Sequence, residues 1–192
     1  MRTVFAGSPT YITQLLSITL RWMLAQVKEN IAKIVVDRKT RQIVDTTFYK
    51  RNLRFKCRRC ARFCCRLGGA NLSEKDAQRL KEAGYATDNF LKPITRRENN
   101  SVLETESRLK ERDDGSCIFL RFNTELKIYE CSIYDFRPVL CRIYPFEFDG
   151  IDSNSFMLKF IPCCKGLNSP DGELVNEKFV SNYLLDTAFE IL

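Results

Sequence analysis

Apolar side chains recur at spacings of three and four along residues 12–35, a pattern that predicts an amphipathic helix. The pattern runs into Ile34-Val35-Val36, whose β-branched side chains favour a strand. Residues Gln42–Phe48 can pair with these three across Asp37–Arg41, which predicts a short hairpin. The apolar positions of the helical pattern are Ile12, Leu16, Leu20, Met23, Val27, Ile31 and Ile34.

Three further helical segments follow from local signals. Ser73 and Asp76 form a capping-box pair at the start of a helix, and Gly84 is suited to end it. Arg137–Arg142 fits one or two helical turns with a proline early in the segment, where its missing N–H costs little. Val175–Ile191 has the apolar spacing of an amphipathic helix.

Turn residues separate the remaining apolar segments into strands. Val102–Phe122 is predicted to be a hairpin turned by Asp113-Asp114-Gly115, and residues 86–101 are predicted to be a loop around Pro93. These elements indicate a small α+β fold. The other predicted strands are Leu126–Cys131, which follows a turn at residues 123–125, and Phe146–Phe148 with Phe156–Ile161, which form a hairpin through Asp149-Gly150.

Composition narrows the chemistry that this fold can carry. The chain has 192 residues, nine cysteines and no histidine, which excludes histidine metal ligands and every histidine-based catalytic triad. It has no apolar stretch long enough to span a membrane and no clear signal peptide, so a cytoplasmic protein without a membrane partner is predicted. In a reducing cytosol, clustered cysteines are more often metal ligands than disulfides.

Four cysteines lie within nine residues, in the order Cys57-x2-Cys60-x3-Cys64-Cys65. Two cysteines separated by two residues place both sulfurs on one turn, where they can bind one metal ion. Cys64 and Cys65 are adjacent, so their side chains are expected to diverge and to serve two metals, two edges of a cluster, or one site through one of them. Soft thiolates suit zinc and iron–sulfur clusters alike, and the spacing matches neither ferredoxins nor radical enzymes of the C-x3-C-x2-C type.

The other five cysteines are Cys117, Cys131, Cys141, Cys163 and Cys164. Because they are distant in the sequence, a site that used them would be assembled from separate segments and would staple the fold. Arg137 and Arg142 flank Cys141, and they are interpreted either as hydrogen-bond donors around the site or as partners in helix-end salt bridges. The sequence shows no nucleophile–base pair, so catalytic residues stay unknown.

The segment Lys50–Arg66 carries eight basic residues and no acid, within a chain of net charge +7. Arginines between the cysteines would offset the charge of bound thiolates and lower thiol pKa values. The same run could also bind the phosphates of RNA or DNA. Both interpretations stay open, as does an ordinary solvated basic surface.

The chain resembles a family of zinc- or iron-chelating proteins named for the motif CxxCxxCC. The resemblance rests on the Cys57–Cys65 cluster, Gly115-Ser-Cys117, the block Cys131-Ser-Ile133-Tyr134 to Arg137-Pro138-x2-Cys141-Arg142-x-Tyr144-Pro145, and Cys164-Lys-Gly166. Two departures are the three-residue spacing before Cys64 and the additional cysteine at position 163. The resemblance implies metal chelation through eight cysteines: Cys57, Cys60, Cys64, Cys65, Cys117, Cys131, Cys141 and Cys164.

The resemblance also shapes the expected cofactor and domain organisation. The cysteine region is similar to that of flagellin lysine-N-methylases, which carry an iron–sulfur cluster, so a 4Fe–4S cluster is favoured over zinc. We therefore expect a metal-binding protein, with a methylase-like enzyme or subunit, or a basic nucleic-acid-binding module, as alternatives. Residues 1–48 are predicted to be a helical and hairpin extension, and residues 49–192 a metal-stapled domain. A protein partner is left open.

Overall fold

The computed structural model describes residues 28–61, 63–66, 68–98 and 101–190. The strands are β1 (Glu29–Asp37), β2 (Gln42–Phe48), β3 (Arg54–Phe55), β4 (Asn71–Leu72), β5 (Leu91–Glu98), β6 (Ser101–Leu109), β7 (Leu120–Asn123), β8 (Ile128–Cys131), β9 (Phe146–Gly150), β10 (Ser155–Phe160) and β11 (Glu173–Leu174). The helices are α1 (Phe63–Arg66), α2 (Glu74–Glu82), α3 (Thr87–Phe90), α4 (Val139–Ile143), α5 (Glu177–Phe179) and α6 (Asp186–Ala188), and a π-helical segment (Val180–Leu185) joins the last two.

The largest sheet has four antiparallel strands in the order β2-β1-β10-β9. In β1, Ala32, Ile34 and Val36 are buried, and this period of two is the strand pattern. The helix predicted for residues 12–35 is therefore wrong from Glu29 onward, because the β-branched residues pair with β10 and β2. Its earlier part lies outside the described residues. The predicted hairpin across Asp37–Arg41 is confirmed.

A first hydrophobic core lies between this sheet and the C-terminal helical segment. Side chains of β1 and β10 pack there against the π-helical turn and against Leu53 near β3. Phe55, Phe146 and Phe179 meet edge to face in this core, with ring centroids 5.0–6.2 Å apart. The predicted boundary after residue 48 falls just behind β2, a strand of the same sheet as β9 and β10.

A second hydrophobic core is built from the middle of the chain, between Ala61 and Ile133. It packs the buried side of α2 and the Phe90–Phe119 ring pair against Leu109 at the end of β6. The chain thus builds part of the first core, crosses to the second, and returns through α4 to complete the first. The second core is in effect an insertion in the first.

Two predictions for the middle of the chain are wrong. The predicted loop around Pro93 is α3 followed by β5, and proline is tolerated because β5 is an edge strand in the order β4-β6-β5. The predicted Val102–Phe122 hairpin does not form, because β6 pairs with β5 and β4 while β7 pairs with β8. The turn at Asp113-Asp114-Gly115 is present, inside a short loop closed by a bridge between Glu111 and Cys117.

The other predicted elements are present, some with changed bounds. The C-terminal helical segment begins at Glu177 instead of Val175 and is π-helical over Val180–Leu185. The Ser73–Asp76 capping box starts α2, and Gly84 follows its end with a positive φ of 89°. Strands β9 and β10 form the predicted hairpin, but its turn lies at residues 151–154, because Asp149 and Gly150 belong to β9. The strand predicted for Leu126–Cys131 begins at Ile128, and the helical turn after Pro138 forms where expected. With helices beside several small antiparallel sheets, the chain is α+β. Within the described residues, no helix has the length and apolar character needed to cross a membrane.

Candidate metal centre

A cavity of about 50 Å³ lies where the two cores meet, and all eight cysteines of the predicted ligand set line it. Cys163 is not among the described residues that line it; its sulfur instead lies 3.7 Å from the Tyr144 hydroxyl oxygen. The volume is several times the ~10–15 Å³ that one water needs, so it has room for more than one atom. The cysteines that line it are Cys57, Cys60, Cys64, Cys65, Cys117, Cys131, Cys141 and Cys164.

One wall of the cavity consists of two loops that follow β3 and precede β11. The Lys56 N–H donates to the Gly166 carbonyl at 3.0 Å, and Phe55 forms a bridge with Leu167. Gly166 is needed for this approach, since a Cβ there would lie 2.5 Å from the Lys56 carbonyl oxygen. The contact fixes Cys57 and Cys164 on neighbouring loops, and the Gly166 N–H lies 3.4 Å from the Cys164 sulfur.

The opposite wall belongs to the second core. Helix α1 carries Cys64 and Cys65, and the Cys117 N–H donates to the Cys65 carbonyl at 2.7 Å. The sulfurs of the adjacent pair are 3.9 Å apart, so they do not diverge as the sequence predicted. Two thiolates about 2.3 Å from one tetrahedral ion are separated by about 3.8 Å, so this pair has the spacing of two ligands of one ion. Cys131, at the end of β8, completes this wall beside Cys65.

Cys141 reaches the cavity from α4, whose start is held by a buried carboxylate of another helix. Asp76 is 1 % exposed, and its Oδ1 accepts from the Val139 N–H at 3.0 Å. Its Oδ2 accepts from the Ser73 N–H in the capping box. One carboxylate therefore caps both α2 and α4, and it sets where α4 places Cys141.

The thiols of the inner wall have shifted pKa values that follow from their mutual hydrogen bonds. The contacts of the Cys65 thiol with Cys131 and Cys64 raise the pKa of Cys65, while the same contacts lower the pKa of Cys64 and hold that of Cys131 at about 7. Cys64 and Cys131 are thus closest to the thiolate form that binds metal.

Burial acts in the opposite direction on three other sulfurs of the cavity. It raises the pKa of Cys117 to about 11 and that of Cys164 to about 12, and it raises the pKa of Cys141. A bound cation would reverse these shifts, because ligation deprotonates thiols.

Basic and aromatic groups surround the sulfurs. Among the described residues that line the cavity no side chain is acidic, while Arg58, Arg59, Arg137 and Lys165 contribute positive charge. The guanidinium carbons of Arg59 and Arg137 lie 4.1 and 3.7 Å from the ring centroid of Tyr134. Such surroundings offset the negative charge of several thiolates bound to metal.

The two arginines that flank Cys141, Arg137 and Arg142, make different contacts, so a different interpretation applies to each. The Arg137 Nε donates to the Tyr134 carbonyl at 2.8 Å, as expected of a donor near the site. Arg142 instead pairs with Glu190, which also binds Arg79. The salt-bridge interpretation therefore holds for Arg142.

The donor set fits a thiophilic metal, but the sulfurs do not meet at one point. Within the described ranges, no group of three or more Cys, Asp, Glu or His side chains is arranged to hold a single ion. The sulfurs are spread around the cavity wall, so ligation requires side chains to turn inward.

Sequence reasoning missed two residues that position the site. Asp76 was identified as a helix cap, but its contact with Val139 joins segments 63 residues apart and has no sequence signal. Glu190, which links α2 to α4 through two arginines, is one acid in an ordinary amphipathic pattern. Each becomes visible only when the helices are packed together.

Comparison with known proteins adds two matches. Residues 56–165, more than half of the chain, match the family described as "CxxCxxCC: Putative zinc- or iron-chelating domain". An uncharacterized protein of Methanocaldococcus jannaschii is 31% identical over 137 residues, which cover 68% of this chain and 68% of that protein. No solved structure matches the chain significantly.

Proposed function

The chain belongs to the CxxCxxCC family, and from that premise we propose that it holds a polynuclear metal centre in the cysteine-lined cavity. The observation that carries the proposal is the convergence of eight cysteines, from five separate segments, on one cavity without an acidic lining residue. A tetrahedral zinc ion or a 4Fe–4S cluster takes four thiolates. Eight thiolates therefore supply ligands for more than one metal atom.

The centre has a structural role in this proposal. Cys57 and Cys164 lie beside residues of the first core, whereas Cys65 and Cys117 belong to the second. Metal bound between them ties the two cores together, and its binding free energy becomes folding free energy. The dispersed sulfurs favour an iron–sulfur cluster, while the spacing of Cys64 and Cys65 suits zinc, so the metal has to be measured.

The first experiment is elemental analysis of protein purified without oxygen, together with sulfide analysis and a visible spectrum. Iron with acid-labile sulfide and visible absorption identifies a cluster, and zinc in a colourless solution identifies a thiolate zinc centre. Protein that carries neither metal, and takes up neither on reconstitution, contradicts the proposal.

Cys60→Ser tests the ligand assignment, with Cys163→Ser as its matched control. Removal of one cavity thiol is expected to lower the metal content and the melting temperature, because ligation contributes to folding. Cys163 is outside the described cavity lining, so its variant should keep both. Equal metal content in the two variants would refute the role of Cys60.

The alternative functions have less support. In the Lys50–Arg66 run, Lys50 pairs with Glu29, and both Lys56 and Arg58 pair with Asp171. These contacts engage part of the charge that a phosphate backbone would need, so nucleic-acid binding stays a prediction. A methylase-like activity and a cytoplasmic location also stay predictions.

A further inference from the structure

The β7–β8 hairpin carries a group of exposed apolar side chains: Phe122, Leu126, Ile128 and Tyr129 are 40–64 % exposed. Single exposed apolar residues are ordinary, whereas a contiguous group marks a surface of association. Phe122 and Tyr129 are cross-strand partners with ring centroids 5.1 Å apart, and Leu126 lies at the turn between their strands. We propose that two copies of the chain associate through this hairpin, tip to tip, about a two-fold axis at Leu126.

Both strands of this hairpin have an unpaired outer edge. Within the described residues, β7 and β8 pair only with each other, in a sheet of two strands. The backbone groups along such an edge are available to another chain unless they are protected. A sheet of two strands has little stability of its own, so it gains from a second surface that covers its apolar side chains.

The hairpin is held in its shape by contacts within one copy. At the turn, the Asn123 side-chain oxygen accepts from the backbone N–H groups of Glu125 and Leu126, at 3.1 and 3.0 Å. Further along β8, the guanidinium carbon of Arg66 from α1 lies 4.2 Å from the ring centroid of Tyr129. A surface that is ordered in this way loses little conformational entropy when a partner binds.

The charges at the tip complement a second copy of the same tip. Glu125 and Lys127 flank Leu126, both are exposed, and neither has an ion pair among the described residues. A two-fold axis that crosses the chain at Leu126 runs the two tips antiparallel, so each Glu125 lies beside the Lys127 of the second copy. A parallel arrangement would instead oppose like charges. The antiparallel contact therefore has an apolar centre and two ion pairs.

The net charge of the hairpin favours a second copy over nucleic acid. Leu120–Cys131 carries Arg121 and Lys127 against Glu125 and Glu130, and Arg121 is paired with Glu130. A phosphate backbone therefore meets no surplus of positive charge there. The whole chain has a net charge of +7, so two copies repel each other on average. A neutral, apolar hairpin is a surface at which they can approach.

This contact is separate from the metal centre. Cys131 lines the cavity at the end of β8, whereas residues 123–127 lie at the opposite end of the hairpin and are not among the described residues that line the cavity. Self-association can therefore be tested independently of metal binding. Because each copy contributes one hairpin, the interface is small, and we expect association to be weak and to increase with protein concentration.

Sedimentation velocity over a range of protein concentrations tests the contact, with the protein kept reduced so that exposed Cys57 forms no disulfide between copies. A dimer whose share rises with concentration is expected. Leu126→Ser should lower the association constant by about tenfold, because an apolar side chain leaves the centre of the contact on both copies. Val44→Ser is the matched control, since Val44 is 67 % exposed on β2, and it should associate as the unmodified chain does. A monomer at every concentration, or equal losses in the two variants, overturns the proposal.

Charge reversal tests whether the partner is a second copy in the antiparallel arrangement. Glu125→Lys and Lys127→Glu each turn two ion pairs into two like-charge contacts, so each variant alone should associate about tenfold more weakly at low salt. A mixture of the two variants should form a heterodimer with restored affinity, because opposite charges then meet at both contacts. A mixture that associates no better than either variant alone overturns the two-fold contact. Metal content, measured on the same samples, tests the proposed function separately.

Discussion

Cys163 and Cys164 are neighbours in the sequence, yet the Cys164 sulfur lines the cavity while that of Cys163 contacts the Tyr144 hydroxyl. From the sequence, Cys164 was predicted to be the ligand only because the family resemblance places a cysteine there. The loop geometry distinguishes the two cysteines, since the Gly166 nitrogen lies 3.4 Å from the Cys164 sulfur. At the scale of single residues, close backbone contacts therefore decide which sulfurs reach the cavity.

Gly166→Ala tests the closest of the loop contacts that support a cavity cysteine. The new Cβ would lie 2.5 Å from the Lys56 carbonyl oxygen, so the loops of Cys57 and Cys164 must separate. We expect the free energy of unfolding, measured by urea titration of the metal-loaded protein, to fall by about 1–3 kcal/mol, as for overpacking elsewhere. Metal release to a chelator should also be faster.

Gly150→Ala is the matched control, because a Cβ at that position meets nothing within 4 Å. Its free energy of unfolding should change by no more than about 0.5 kcal/mol. Equal losses in the two variants would show that the contact with Lys56 is unimportant.

The residue-scale features were only partly predictable. The cysteines could be identified from their types and from the family motif, because a soft-metal site in a chain without histidine has to be built mainly from thiolates. The proximity of Cys64 and Cys65 was not predictable, since it depends on the rotamers within a one-turn helix. Nor was the double role of Asp76, which requires α2 and α4 to be placed beside each other.

At the scale of elements, α2 and α4 share one capping carboxylate, and α4 carries a cysteine into the cavity. Asp76 accepts from Ser73 and Val139 and pairs with Arg79, although it is almost completely buried. A buried carboxylate is stable there because each of its oxygens has partners. The start of α4 therefore depends on a helix 63 residues earlier in the chain.

Asp76→Ala is expected to lower the free energy of unfolding by about 3 kcal/mol. Loss of a cap costs about 1 kcal/mol, and leaving the Val139 N–H and Arg79 without their partner costs about 1–3 kcal/mol more. Chemical denaturation provides the measurement. Glu74→Ala is the control, since Glu74 is an exposed acid in the same first turn; a loss as large in Glu74→Ala would contradict the capping argument.

Glu190, which links α2 to α4, makes the stability of the fold depend on pH in the acid range. Burial raises the pKa of Glu190, but hydrogen bonds from Arg142 and Arg79 outweigh it and hold the pKa below its ordinary value. The unfolded chain then binds more protons than the native chain, so the contribution of Glu190 is present above its unfolded pKa and lost as pH falls through the folded value.

Glu190→Gln should therefore destabilise the protein at pH 7 and lose less stability on acidification than the unmodified chain. Urea titrations from pH 7 down through the range in which glutamates titrate, on both proteins, make the comparison. Parallel pH profiles would show that the link from Arg79 to Arg142 contributes no acid dependence.

At the scale of the whole molecule, the cysteine cavity lies where two hydrophobic cores meet. The sequence predicted an α+β fold with several correct hairpins and helices, because alternating apolar residues, turn residues and caps act locally. Two predictions for the middle of the chain were wrong. Strand β5 was predicted to be a loop, although its polar sequence and Pro93 are tolerated at a sheet edge, and β6 was assigned the wrong pairing partner. Those choices depend on contacts between distant segments, which local patterns do not contain.

Removal of the metal should uncouple the two cores. Structural thiolate centres contribute several kcal/mol, and 1 kcal/mol shifts the melting temperature by about 2–4 °C in a chain of this size, so we expect Tm to fall by about 10 °C or more. Calorimetry of the metal-loaded and chelated protein, both kept reduced, provides the measurement. Identical melting curves would show that the centre does not stabilise the fold.

The insertion of the second core into the first also sets an order of assembly during synthesis on the ribosome. Residues 61–133 contain all residues of the second core that the structure describes as buried, and these have all emerged once Ile133 has been synthesised. The sheet that contains the β1–β2 hairpin is completed later in synthesis, because its next strand, β10, ends only at Phe160. Both crossings between the cores carry cysteines, with Cys57 and Cys60 on the way out and Cys141 on the return. A nascent chain paused after Ile133 would therefore present the described side chains of the second core together, the β1–β2 hairpin without β10, and thiols to which metal can still bind.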